Sequence, residues 1–164
     1  MENITSERLR AIYAYDPETG FFNLRKKRGN RKVSQAAGTT SGPGYRSITI
    51  EGKKYLAHRL AWHYVFGAWP EGQLDHMNAV KDDNRIANLR IATMSQNKLN
   101  APIAKTNTSG VKNVNWNRRL QKWHARVRID GKRVHLGLFE SMEAAADAYA
   151  AAAKKHHGQF FRLK

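Results

Sequence analysis

The sequence predicts an α+β fold built from small antiparallel sheets in successive parts, and three observations carry that prediction. Short alternating apolar segments bounded by Gly, Pro and Asp recur over residues 20–57 and again over 109–139, the pattern of strands and tight turns. Stretches with helical spacing are few and set apart from one another, at the N-terminus, around residues 58–66 and in an Ala-rich run after residue 141. APIAKTNTS, residues 101–109, has linker composition and separates two different patterns. The expected architecture is an N-terminal helix and small β-sheet over 1–57, a central region over 58–100, a linker over 101–108, and a three-stranded antiparallel sheet packed on one helix over 109–164.

Taken in order, Thr5 or Ser6 caps a first helix whose Leu9, Ile12 and Tyr13 share one apolar face. Asp16-Pro17-Glu18-Thr19-Gly20 is a turn, followed by a short strand over Phe21 to Leu24. Residues 25–44, basic at first and then rich in Gly and Ser, read as a loop. Its Arg25 to Lys32 stretch either lies along phosphates or is a solvated loop. Tyr45 to Ala57 is a hairpin turning at Glu51-Gly52-Lys53. His58 to Phe66 is a helix closed by Gly67 and stopped by Pro70, with Leu60, Ala61, Tyr64 and Val65 toward a core.

Past the linker, VKNVNW, KWHARVRID and KRVHLGLFE are three alternating strands, the last two joined at Asp130-Gly131. Ser141 caps a long helix that presents Ala145, Ala148, Tyr149 and Ala152 to the sheet. Lys154, Lys155, His156 and His157 suit its C-terminus, and Gly158 ends it.

Composition narrows the partner. The 164 residues hold 29 Lys and Arg against 13 Asp and Glu, a formal net charge of +16. Residues 1–104 carry 16 basic and 9 acidic side chains, and residues 105–164 carry 13 and 4, so both parts are cationic. That balance points first to nucleic acid and second to an anionic membrane surface. There is no Cys, which excludes disulfides, thiolate nucleophiles and Cys-ligated zinc or iron–sulfur sites. No apolar run approaches the ~18 residues of a membrane span, and MENITSERLR has no apolar signal core. The expectation is a soluble intracellular protein.

Chemistry concentrates in residues 55–100. Asp75 and His76 are adjacent at the end of an apolar strand, so they point to opposite faces. Leu89 to Thr93 returns as a second strand, and Ser95 starts a short helix carrying Asn97. A hairpin followed by that helix would gather Asp75 and Asn97 around one hard cation, magnesium or manganese rather than zinc. The alternative is that Asp and Asn here form turns and the His is structural. His63 and the His156-His157 pair have no carboxylate at ligand spacing. They read as a helix-surface residue and a helix C-terminal cap.

This segment, with HRLAW, DHMN, DNR, NLRIAT and QN in order, resembles the HNH homing endonucleases of the phage and intron type. The resemblance implies a ββα-metal motif with His76 as the general base. It gives Asp75 and Asn97 as the metal ligands, Asn88 as the residue that ties the loop and orients the His, and Asn84 as a loop organiser. His58 would be structural or phosphate-contacting. Arg59, Arg85 and Arg90 are either phosphate contacts or surface ion-pair partners. The last ligand position holds Asn rather than His, which weakens metal binding and disfavours zinc.

The tail resembles the Apetala-type (ethylene-response-factor) DNA-binding domain in its SGV, its KWHARVR strand, its HLGLF turn and its EAAADAY helix. That family lays its sheet in the major groove. Alternation agrees with such a use, placing Arg126 and Arg128 on one face and Ala125 and Val127 on the other. The groove-facing set is then Lys112, Asn115, Arg118, Arg126, Arg128, Arg133 and His135. Trp116 either stacks or contacts sugar, or packs like Trp123.

Together these resemblances imply a site-specific, homing-type DNA endonuclease. It would use one Mg²⁺, with Mn²⁺ as a substitute, act on double-stranded DNA, nick as a monomer and require no protein or membrane partner. The competing readings are a DNA-binding transcriptional regulator with a degenerate nuclease region, and a ribosomal-type RNA-binding protein.

Overall fold

The computed structural model describes residues 4–27, 33, 35–104, 106–129 and 131–161. The fold is α+β, as the sequence predicts, with four α-helices and ten short strands among the described residues. It divides into two compact units at Thr93 and Met94.

In the first unit, α1 (Ser6–Ile12) is capped by Thr5, whose Oγ1 accepts the Arg8 N–H at 3.2 Å. β1 (Tyr13–Tyr15) and β2 (Phe22–Leu24) form a hairpin across the Asp16–Gly20 turn. β3 (Thr39–Ser41), β4 (Tyr45–Ile50) and β5 (Lys53–Leu56) form a second antiparallel sheet in that order. β3 falls in a stretch the sequence reads as loop. Its residues are all exposed, so it carries no apolar alternation to announce it. Of the Arg25 to Lys32 stretch, residues 28–32 lie outside the described residues.

α2 (Ala57–Phe66) ends at Gly67, whose φ of +72° lets its N–H close onto the His63 carbonyl. β6 (Gln73–His76) and β7 (Leu89–Ala92) pair antiparallel. The core joins Leu9, Phe22, Ile48, Leu60 and Ala61. Two expectations for α2 are corrected. Val65 is 40% exposed. His63 is buried instead, stacked 4.1 Å from Trp69 with its Nε2 against the Ile4 carbonyl, because its aromatic ring can fill the core while one nitrogen keeps a partner.

The second unit begins with α3 (Met94–Asn100), which groups with the tail rather than with β6 and β7. β8 (Val114–Asn117), β9 (Lys122–Ile129) and β10 (Lys132–Phe139) form one antiparallel sheet with β9 central. The β9–β10 connection turns through Gly131 at φ +79°; Asp130 lies outside the described residues. α4 (Met142–His157) is capped by Ser141 Oγ, which accepts the Ala144 N–H at 3.1 Å. Its buried residues are Ala145, Tyr149 and Ala153, packed on Val114, Ala125 and Val127. Small side chains there allow close approach of helix and sheet. Ala148 and Ala152, expected on that face, are only half-buried.

Candidate active site

β6 ends the apolar strand on its two chemical residues. The register pairs Asp75 with Arg90 and His76 with Leu89. Asp75 therefore shares a sheet face with Arg90, and His76 points the other way. Nε and Nη2 of Arg90 both donate to Asp75 Oδ2, at 2.8 and 2.6 Å, and both side chains are at least nine-tenths buried. Such a pair tolerates no one-sided loss.

Between the strands, residues 77–88 make a tightly braced loop. Asn88, buried at the end of a 3-10 turn (Ile86–Asn88), accepts the Asn78 N–H on Oδ1 at 3.0 Å. It donates from Nδ2 to Asn78 Oδ1 at 3.0 Å and to the Asp83 carbonyl at 2.8 Å. Asn78 in turn donates to Asp83 Oδ2 at 2.6 Å. From outside the loop, Arg46 grips both Asp82 oxygens at 2.8 Å, and Lys81 Nζ donates to the Pro43 carbonyl at 2.9 Å. Asn84 is fully buried. Its carbonyl accepts the Tyr15 hydroxyl at 2.8 Å, and its Nδ2 donates to the Asp82 carbonyl at 3.1 Å. Its Oδ1 lies 3.4 Å from His76 Nε2. The Asn88 side chain thus ties the loop, while the contact to the imidazole described here belongs to Asn84.

The His76 ring is 4% exposed and sits among other rings. His58 meets it edge-on at 5.0 Å, and Tyr45 lies 5.9 Å from it and 5.3 Å from His58. Burial lowers the His76 pKa, against the opposing influence of Asn84 and the carboxylates of Asp75, Asp83 and Asp82. The ring is therefore neutral near pH 7, the state a proton acceptor requires. Burial also brings His58 down to about 3, helped by the charges of His76 and Arg59. Asp83 is lowered to about 2, chiefly by its bonds from Arg85.

The phosphate candidates fare unequally. His58 is 6% exposed, and its Nδ1 has no hydrogen-bond partner among the described residues. Arg90 is committed to Asp75 inside the strand pair. Both are interior groups, His58 against the His76 ring and Arg90 on the Asp75 carboxylate. Arg59 is half-buried, with Nη1 3.5 Å from the Gly72 carbonyl. Arg85 is exposed and ion-paired to Asp83. Asn97 is half-buried on α3, in the second unit. Among the described residues no three His, Cys, Asp or Glu side chains cluster as a metal site. The Asp75 carboxylate is a hard oxygen donor of the kind Mg²⁺ takes, an ion that keeps several waters and needs few protein ligands.

In the second unit, β9 puts Arg126 and Arg128 opposite His135 and Arg133 of β10, and His124 opposite Asn115 of β8. Paired residues share a face, so all six side chains lie on the face away from α4. Arg118 is exposed in the β8–β9 turn. One expectation shifts, and Trp116 takes one of its two alternatives. Lys112 Nζ donates to the Leu99 carbonyl at 2.7 Å, off the strand face. Trp116 pairs with Trp123 on the opposite face and packs edge-on at 5.2 Å. His124, absent from the expected set, bonds His135 through Nε2 to Nδ1 at 2.6 Å. Strand alternation alone would have found it.

Residues 55–99 match the family described as HNH endonuclease. Protein 3.8 of Escherichia phage T7 is 30% identical over 108 residues, 65% of this chain and 88% of its own length. No solved structure matches. No described helix is long and apolar enough to cross a membrane.

Proposed function

We propose, for a chain that belongs to the family of phage T7 Protein 3.8 and carries an HNH endonuclease domain, that it is a metal-dependent, site-specific endonuclease of double-stranded DNA. The observation that carries this reading is the buried, neutral His76 at the end of β6, one residue from Asp75 and held in a loop braced by Asn88. Phosphodiester hydrolysis needs a water stripped of a proton and delivered in line with the leaving oxygen. His76 is the acceptor of that proton. Asn88 acts on it indirectly by keeping the loop closed, and the ring wall of His58 and Tyr45 limits how the imidazole can turn.

Asp75 and Asn97 would hold Mg²⁺, or Mn²⁺ in its place. When bound, that ion supplies charge to the scissile phosphate and the leaving oxygen. Arg90 holds the Asp75 carboxylate in place. Arg85 and Arg59 would contact phosphate. The face of Asn115, Arg126, Arg128, Arg133 and His135, with Arg118 beside it, engages duplex DNA in the manner of the Apetala-type sheet. One such centre per chain makes the enzyme a monomeric nickase of the homing type.

The test is incubation of the full chain with supercoiled plasmid, with Mg²⁺ and with chelator. Relaxation in the presence of metal alone is expected. Binding without cutting under both conditions would favour the regulator reading.

A further inference from the structure

We infer that Asn84 is a positioning residue that decides which nitrogen of His76 takes the proton. The inference rests on the nuclease reading for its use, but its physical basis is local. Asn84 is fully buried, so its amide must satisfy its hydrogen-bonding groups within the protein. Nδ2 donates to the Asp82 carbonyl at 3.1 Å. Turning the amide over would set two carbonyl oxygens against each other there. The amide orientation is therefore fixed, and the group that faces His76 Nε2 at 3.4 Å is an oxygen, which only accepts. An imidazole with its lone pair on Nε2 would oppose lone pair to lone pair. With the proton on Nε2 the contact is attractive. A neutral ring has one N–H, so the basic lone pair belongs to Nδ1.

The setting of Asn84 is itself rigid. Tyr15, from β1, donates its hydroxyl to the Asn84 carbonyl at 2.8 Å. Gly20, at φ +75°, brings the N-terminal turn so close that a Cβ there would stand 2.6 Å from the Asn84 carbonyl carbon and 2.5 Å from the Arg85 nitrogen. The carbonyl that accepts from Nδ2 belongs to Asp82, whose carboxylate Arg46 of β4 grips. Three separate elements thus hold the Asn84 backbone and the residue whose carbonyl its amide bonds, and the amide faces the ring. A residue needed only to close the loop would not have to present an acceptor to His76.

The experiment is ring-nitrogen NMR on the full chain with labelled histidine, without metal, at a pH where His76 is neutral. The signal is assigned by its loss in His76→Ala. The wild-type ring is expected to be protonated at Nε2. In Asn84→Ala the two tautomers should mix, with kcat for duplex cleavage about tenfold to a hundredfold lower and KM little changed. A wild-type ring protonated at Nδ1 overturns the inference, and so does a folded Asn84→Ala with the wild-type tautomer. If Asn84→Ala does not fold, the wild-type spectrum decides alone. An Nε2–H ring in a protein that cuts no DNA upholds the role of Asn84 and sinks the nuclease reading instead.

Discussion

Residue by residue, the proposed site separates groups that would do chemistry from groups that hold them. His76→Ala is expected to abolish cleavage while gel-shift affinity for duplex DNA stays within a few-fold, since a general base contributes about 10²–10⁴ in rate and little to binding. Retention of the wild-type rate would remove His76 from the mechanism. Asp75 needs a more careful substitution. Asp75→Ala takes the carboxylate from the buried Arg90 guanidinium and should cost about 3–5 kcal/mol, so lost activity there would say nothing of metal. Asp75→Asn keeps an oxygen for Arg90. It should leave the melting temperature closer to wild type while raising the Mg²⁺ concentration needed for half-maximal cleavage, and by more than Asn97→Ala does. A wild-type metal requirement in Asp75→Asn would place the cation elsewhere. His58 allows a pH test. Its pKa is about 3 in the fold, below the roughly 6.5 of an unfolded chain. Stability is therefore full above about pH 6.5 and declines as acid protonates the unfolded chain first. His58→Phe should flatten that decline between about pH 7 and pH 5, read as melting temperature. Parallel curves for the two proteins would assign the acid sensitivity to other groups. The residues that carry these arguments were legible unevenly. Asp75, His76 and Asn88 stand in recognisable motifs. The buried pairing of Arg90, the ring wall of Tyr45 and the grip of Arg46 on Asp82 arise from contacts between residues 15 to 36 positions apart, which no local spacing encodes.

Elements with a strong local signal are legible in the sequence, and those defined by their neighbours are not. α1, the β4–β5 hairpin, α2 with its Gly67 stop and the β9–β10 hairpin each have a cap, a turn or clear alternation within their own residues. β3 has none of these and exists because β4 offers an edge. The Asp16–Gly20 turn is plain in the sequence as a turn. Its second role, as the surface against which the Asn84–Arg85 backbone is pressed, appears only in the fold. Gly20→Ala is expected to destabilise by about 1–3 kcal/mol through the positive φ alone. It should also push the 77–88 loop away, so that cleavage falls further than the loss of folded protein explains. Equal losses in both would mean that the loop does not depend on the turn. On β9, Arg126→Ala and Arg128→Ala distinguish two uses of the cationic face. A base reader should cost about 1–3 kcal/mol and relax selectivity at one position of the site. A phosphate contact should weaken all sequences alike and reduce the slope of log affinity against log salt by about 0.9. No effect of either kind would take β9 off the DNA.

At the scale of the whole chain, the two hydrophobic cores have no member in common, one formed by residues from Ile4 to Leu89 and the other by residues from Val111 to Phe161. Each unit therefore has its own reason to fold. The linker composition at 101–109 suggested a boundary there, but the contacts of α3 place the division at Thr93 and Met94. The reason is that α3 carries little apolar surface of its own and is tied forward, by the Lys112 bond to the Leu99 carbonyl and by packing near the 3-10 turn Gly158–Phe160. This displacement sets the last prediction, because Asn97 travels with α3. A chain ending at residue 104 keeps Asn97 but loses what α3 rests on. A chain ending at residue 93 loses both. Under the nuclease reading, the 1–104 protein should cut plasmid DNA weakly, unselectively and with a raised Mg²⁺ requirement, and the 1–93 protein should be weaker still. The 94–164 fragment should bind duplex DNA without cutting it, with affinity falling steeply as salt rises, in keeping with the +9 net charge of residues 105–164. Equal cleavage by the two truncated proteins at every Mg²⁺ concentration would remove Asn97 from the metal site. Full site selectivity in the 1–104 protein would move sequence reading from the β8–β9–β10 face to the N-terminal unit, where the basic stretch from Arg25 to Lys32 becomes the segment to mutate.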